Sequence, residues 1–266
     1  MKKILAMVMA LVMIFALCAC GQAAAPAAAP AAESDLAYIQ ANGKLVVGIT
    51  DFAPMDYKDD AGEWIGFDAD MAKAFAESLG VEVEFIEIDW DNKIMELDAK
   101  SIDCVWNGMT LTPEVTGSME CGKPYCNNAQ VVVLKSDVAA NYADAASLKG
   151  LTFAVEAGSA GEAAVAELGN EFNAVQTQAD ALMEVAAGTS DACVIDLLMA
   201  GAMIGEGTNY PDLSYTVELT SEEYGVGFRK GSDVAAAFNE FYAAAFAAGT
   251  VEEIATVYGV QESILG

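Results

Sequence analysis

Residues 105–119, VWNGMTLTPEVTGSM, place polar groups just beyond a short apolar stretch. Ile102–Trp106 reads as a strand, followed by Asn107-Gly108, Thr110 and then Thr112-Pro113-Glu114, which opens a helix. Such a layout presents an amide, hydroxyls and free backbone N–H groups to a small ligand. The composition points to binding more than to catalysis. The chain has no histidine and a single arginine, Arg229, so the commonest general base near neutral pH is missing. Twelve basic residues stand against 40 acidic ones, for a formal charge of −28. No basic stripe exists to release counterions from phosphates, which excludes nucleic acid as a partner. No metal or cofactor is indicated either. The acidic run Asp59-Asp60-Ala61-Gly62 lacks the spaced ligand series of a calcium loop and reads as a solvated turn.

The elements that must position these groups follow from periodicity. Lys44–Ile49 is a buried strand, and Tyr57–Trp64 is a hairpin around Asp59–Gly62. Phe67, Met71, Ala74, Phe75, Ser78 and Leu79 fall at helical spacing, and Gly80 stops that helix. Val81–Ile88 alternates as a strand, Asp91–Lys100 is a helix, and Ile102–Trp106 is the third strand. This β–α–β–α–β rhythm predicts a parallel sheet with ligands at the carboxyl ends of its strands.

The rhythm then recurs. Gln130–Leu134 and Leu151–Val155 read as strands, the second running into Glu156-Ala157-Gly158-Ser159-Ala160-Gly161 and a helix over 161–168. Ala179–Gly188 is a helix, and Asp191–Ile195 a strand ending at Asp196. SIDCVWNGMT and TSDACVIDLL share a polar lead-in, an Asp, a short apolar strand and a polar end. They predict two similar lobes that each offer a strand end to a shared cleft. Gly158-Ser159-Ala160 is either an anion seat made by helix N–H groups or a plain capping turn. Tyr224–Phe228 reads as a further strand. Ser232–Ala248 is a helix with Phe238, Phe241, Tyr242, Ala245 and Phe246 inward, and Thr250 with Glu253 forms a capping box for a last helix.

At the N-terminus, Met1-Lys2-Lys3 and the apolar run Ile4–Leu17 read as a signal peptide, too short for a comfortable transmembrane span. Leu17-Cys18-Ala19-Cys20 resembles the bacterial lipoprotein lipobox, which implies cleavage after residue 19 and lipidation of Cys20. An ordinary secretory signal would discard both cysteines. Residues 20–35, broken by prolines and without apolar periodicity, are a tether. Cys104 and Cys193 sit in apolar runs as core thiols. Cys121 and Cys126 are close enough to pair in an exported protein, or they pack inward.

GKLVVGITDFAPMDYKDDAGEWIGFDADMAKAFAESLGVEVEFIEIDWDNKIMELDAKSIDCVWNGMTLTPE, followed in order by SLKGLTFAVEAGSAGE, TSDACVID and EEYGVGFRKGSD, resembles the amino-acid-type extracellular solute-binding proteins (family 3) of bacterial ABC importers. The resemblance implies an α/β architecture, the type II periplasmic-binding-protein fold, with two lobes joined by a two-strand hinge and the ligand between them. It implies lobe 1 over residues 36–129 plus 225–266, and lobe 2 over 130–224. Its partners would be a small-molecule ligand, ABC permease subunits and, through lipidated Cys20, the outer face of the cell membrane.

By the same resemblance, Asp51 and Phe52 give polar and aromatic contacts, and Trp90 packs on the ligand from the opposite side. Two ring faces would favour an alkyl-ammonium group through cation–π attraction. Asn107, Gly108 and Thr110 match the positions that hold the ligand's carboxylate and amine. Asp196 matches the acceptor of its α-ammonium, and Ser159 and Ala160 face the cleft from a helix start. Trp106, one residue before Asn107, reads as core.

One departure from the pattern changes the expectation. Where the family usually has a carboxylate-binding arginine, this chain has Val115, and Glu156 occupies a lip position that is often apolar. Arg229 lies in the return segment, and nothing in the sequence places Lys123 in the cleft. Asp51, Glu156 and Asp196 would then converge without a guanidinium, repelling one another unless a cation enters. The expected solute is an amino acid or related amine, cationic in preference to a neutral amino acid held by backbone donors. An enzyme of the same fold, a dehydratase of dicarboxylic prephenate-like acids, suits so anionic a pocket poorly. A sensing module would carry fused transmembrane or catalytic segments, which this reading does not expect.

Overall fold

The computed structural model describes Ser34–Gly266. The expected signal peptide, most of the tether and Cys20 lie outside the described residues. The end of the tether is corrected. A helix, Asp35–Asn42, begins there, capped by the Ser34 Oγ, which accepts from the Ala37 N–H at 3.0 Å. The Ser34 hydroxyl donates to Asp233 at 2.5 Å, and Asp35 accepts from Arg229 at 2.9 Å. These partners lie nearly 200 residues away, so no local pattern announces the helix.

From there the chain runs through β1 (Lys44–Ile49), the hairpin β2 (Tyr57–Lys58) and β3 (Trp64–Ile65), β4 (Glu82–Glu87), β5 (Cys104–Val105) and β6 (Glu120–Cys121). β1 lies between β4 and β5 and is parallel to both. The crossovers are the helices Phe67–Leu79 and Lys93–Asp98, the latter entered through a single 3₁₀ turn, Trp90–Asn92. Phe67, Met71 and Phe75 of the longer helix are buried one helical turn apart, and Gly80 ends it at φ 73°.

β7 (Cys126–Asn128) then leads to a second sheet built of β8 (Gln130–Lys135), β9 (Thr152–Glu156), β10 (Glu171–Val175), β11 (Ala192–Asp196) and β12 (Leu213–Glu218), in the order β10-β9-β11-β8-β12. β9 is parallel to β10 and β11, whereas β8 is antiparallel to both of its neighbours. The return passage β13 (Glu222–Tyr224) pairs antiparallel with β7. β14 (Gly227–Phe228) re-enters the first sheet, giving the order β4-β1-β5-β14-β6. Each sheet thus keeps the predicted parallel core and gains antiparallel strands, and two adjacent passages link the halves.

Three further expectations are corrected. The strand read over Tyr224–Phe228 divides between β13 and β14 at Gly225, where a Cβ would stand 2.6 Å from Leu111. Phe246 is 44% exposed and does not point inward, unlike Phe238 and Tyr242 on the same helix, Val234–Ala248. The Thr250–Glu253 capping box does not form: Gly249 ends that helix at φ 86° and itself caps Thr250–Tyr258, its carbonyl accepting from the Glu253 N–H at 3.0 Å. Cys104 and Cys193 are fully buried, Cys121 and Cys126 are free thiols, and Trp106 packs edge-on against Phe238.

Candidate functional site

The carboxyl ends of β5, β9 and β11 open onto one cavity of about 260 Å³. That is smaller than the roughly 300–1,000 Å³ of sites for drug-sized ligands, and suits a small solute. Of the expected residues, the cavity is lined by Trp90, Asn107, Gly108 and Thr110 from the first half. Glu156, Ser159, Ala160 and Asp196 line it from the second. Asp51 and Phe52 do not line it. Asp51 is exposed, and Phe52 is buried beneath Gly108, packed edge-on against Tyr224. A Cβ on Gly108, whose φ is 55°, would fall 2.2 Å from the Phe52 ring, so only glycine lets this loop lie so low.

Much of the polarity legible in the 105–119 segment is spent internally. The Asn107 side chain accepts from the Thr50 N–H at 2.9 Å and donates to the Thr50 Oγ1 at 2.8 Å, tying the ends of β1 and β5. The Gly108 N–H donates to Asp68 at 2.7 Å, and the Thr110 hydroxyl to Glu222 at 2.9 Å. Thr112 accepts from the Val115 N–H at 3.2 Å, capping the short helix Pro113–Ser118. The helix start after β9 is similarly occupied. Ser159 Oγ accepts from the Glu162 N–H at 3.0 Å, while the Glu162 carboxylate accepts from the Gly158 N–H at 2.6 Å. The capping turn forms, and the protein's own Glu162 takes part of the anion seat.

Asp196, at the end of β11, sits in a cage of donors. Its Oδ1 accepts from the Tyr224 hydroxyl at 2.6 Å, the Gln130 amide at 2.9 Å and the Asn128 amide. Its Oδ2 accepts from the Gln178 amide, whose oxygen takes the Asp196 N–H at 2.8 Å. A carboxylate offers about four acceptor positions, and these four protein donors take them up. Burial and the nearby Glu222 charge push Asp196 up to about 7, against the pull of the Tyr224 and Gln178 bonds. Glu156, at the end of β9, differs. It is 3% exposed and its buried Oε1 has no hydrogen-bond partner. Burial, then the Asp196 charge, raise its carboxyl to about 8, while Lys93 acts the other way.

Lys93 is one of three polar lining residues that the sequence did not single out. It lines the cavity, is 7% exposed, and its Nζ donates to the Gly158 carbonyl at 2.9 Å and the Trp90 carbonyl at 3.2 Å. The ammonium also lies 4.8 Å from the centre of the Trp90 ring. The expected pair of ring faces for a ligand cation is therefore corrected: Phe52 is absent from the cavity, and Trp90 already faces a cation of the chain itself. Two signals were available. Lys93 lies four residues before Leu97, on the buried face of its helix, and a lysine in a first helical turn opposes the helix dipole. Gln130 and Gln178 were also missed, although Gln130 is the polar start of an apolar strand and stands opposite Asp196 in register. Arg229 and Lys123 lie outside the lining. Arg229 is buried between Asp35 and Asp103, and Lys123 is exposed.

Residues 45–261 match the profile of the bacterial extracellular solute-binding proteins, family 3. The chain belongs to this family. Its architecture is the type II fold expected from the sequence, which solved amino-acid-binding proteins similar to it share. The arginine-binding extracellular protein ArtP of Bacillus subtilis is 31% identical over 207 residues, which are 74% of this chain and 78% of ArtP. A substrate-binding protein of an ABC uptake transporter from Streptococcus pneumoniae, solved with bound histidine, has a TM-score of 0.77 at 29% identity, covering 86% of this chain and 97% of its own. An ancestral amino-acid-binding protein, a precursor of cyclohexadienyl dehydratase, has a TM-score of 0.78 at 30% identity, covering 85% and 99%. The family and these relatives are binding proteins, and this family-3 chain is one too, not an enzyme.

Proposed function

We propose that this family-3 protein captures an amino acid or a related amine-bearing solute between its two halves and delivers it to an ABC permease. The halves close about the β7/β13 passages, with residues 36–129 and 225–266 as one lobe and 130–224 as the other. A solute that touches both sides stabilises the closed state, which the permease reads. Lipidated Cys20 tethers the protein to the outer face of the membrane. The observation that carries the reading is Glu156: a buried carboxyl whose Oε1 lacks a donor, beside Asp196, in a small cavity. An ammonium supplies the missing donor and offsets the repulsion of the two acids. The amino-acid ligands named for the relatives support the same class.

A thermal-shift screen of amino acids, amines, polyamines and amine-free carboxylic acids against the purified protein tests this. A bound solute stabilises by about 4 kcal/mol at a thousandfold excess over its Kd. We expect the largest shift from an amine-bearing member. A panel in which only amine-free acids raise the melting temperature would falsify the reading.

A further inference from the structure

Lys93 and Glu156 form an unmatched pair across one cavity. Among the described residues, the ion pairs within 4.0 Å involve Lys44, Lys58, Lys73, Lys100 and Arg229. Lys93 is in none of them. This nearly buried ammonium meets two neutral carbonyls and the face of an indole, and an ammonium has three N–H groups to place. Opposite it, Glu156 Oε1 is buried without a donor. A buried cation with no carboxylate within 4.0 Å and a buried carboxyl with one oxygen unpartnered are each costly alone. A solute bearing both an acid and an amine satisfies both at once.

Position supports the same assignment. Trp90, Val115 and Met109 pack in one apolar cluster, and all three line the cavity beside Lys93. Val115 itself offers an acid group only methyls, and the hydroxyls and N–H groups of residues 107–112 are largely committed elsewhere. Among the described residues, Lys93 is the one cationic side chain in the lining.

We propose that Lys93 is the specificity-determining contact for the acid group of the solute, so that the cleft reads a zwitterion rather than a bare amine. The proposal rests on the amino-acid reading above and deepens it. The same ammonium joins the Trp90 carbonyl of the first half to the Gly158 carbonyl of the second. A carboxylate bound there therefore adds to a contact that already spans the cleft.

The test compares each amino acid with its decarboxylated twin. Titration calorimetry of wild type, Lys93→Met and Lys93→Arg uses L-arginine against agmatine and L-histidine against histamine. In wild type, the acid-bearing member of at least one pair should bind more than tenfold tighter than its amine. Lys93→Met should weaken that amino acid about 10- to 100-fold, the range for loss of a charged hydrogen bond. It should leave the amine equal or tighter, because a positive charge has left an anionic cleft. Lys93→Arg should restore part of the preference. If both twins weaken equally in Lys93→Met, the residue is structural and the proposal is overturned while the amino-acid reading stands. A wild type that binds amines and prefers none of the acids also overturns the proposal alone. A wild type that binds no member of either pair counts against both.

Discussion

The Tyr224 hydroxyl donates to Asp196 Oδ1 at 2.6 Å, joining the return passage between the halves to the strand end of the second sheet. Tyr224 is fully buried and pairs with Cys126 of the adjacent passage, so the bond links the crossing strands to the wall of the cavity. Whatever moves the crossing strands moves this carboxylate.

Tyr224→Phe keeps the ring and removes the donor. A buried carboxylate that loses a partner costs about 1–3 kcal/mol, so urea unfolding should show a loss of that size. The Asp196 carboxyl should also titrate higher than in wild type, since the Tyr224 bond is one of the influences holding it down.

The ligand-free protein should be more stable in mild acid than at neutral pH, the reverse of ordinary acid denaturation. Burial lifts Glu156 from 4.5 to about 8, and Asp196 and Asp68 from 3.8 to about 7. Between those values the folded chain holds protons that the unfolded chain has released. The stability these groups contribute is complete below their unfolded values and is lost as pH rises through the folded ones. The melting temperature should therefore fall as pH rises from 5 to 8. Glu156→Gln should flatten the upper part of that slope. A melting temperature that rises across the same interval excludes the assignment.

Binding should show the opposite trend. A solute ammonium favours ionised Glu156, so capture between pH 5 and about 8 releases a proton. Affinity for whichever amino acid gives the largest thermal shift should therefore rise with pH, by at most about tenfold per unit for a single proton, and level off above about pH 8. Calorimetry in buffers of different ionisation enthalpy reads the released proton directly.

Gly158→Ala should impair capture more than folding. Gly158 has φ 70°, and an added Cβ would lie 2.8 Å from both Cα and Oδ1 of Asp91, across the cleft. The left-handed backbone alone costs roughly 1–2 kcal/mol for a residue with a side chain. The contact with Asp91 adds a cost felt only when the halves approach. Solute affinity should drop by about tenfold or more, corresponding to about 1.4 kcal/mol, and scattering of the ligand-free variant should show a larger radius of gyration.

The fold was legible because its signals are local. Glycine at 80 and 188, apolar alternation at 82–87 and β-branched runs such as Gln130–Leu134 define elements by themselves. Eight of the ten expected binding positions line one cavity, since strand ends in such sheets converge wherever the chain orders them so. What the sequence hid was who already holds whom. Asn107 and Thr110 read as free polar groups, yet Thr50 and Glu222, 57 and 112 residues away, engage them. Asp51 and Phe52 fall outside the cavity because β1 ends in a tight turn that buries the ring under Gly108. In the sequence Lys93 is one polar residue of a short helix, and only its partner across the cleft gives it meaning.

Arg229 donates to Asp35 at 2.9 Å, to Asp103 at 3.0 Å and to the Ile102 carbonyl at 2.7 Å. It thereby rivets the first helix to the edge of β5 and to the segment following β14. A tug on the chain at Ser34 is met by that rivet at the first sheet. The leading end is thus moored to the half of the molecule that holds β5, within a few residues of where the return passage rejoins it.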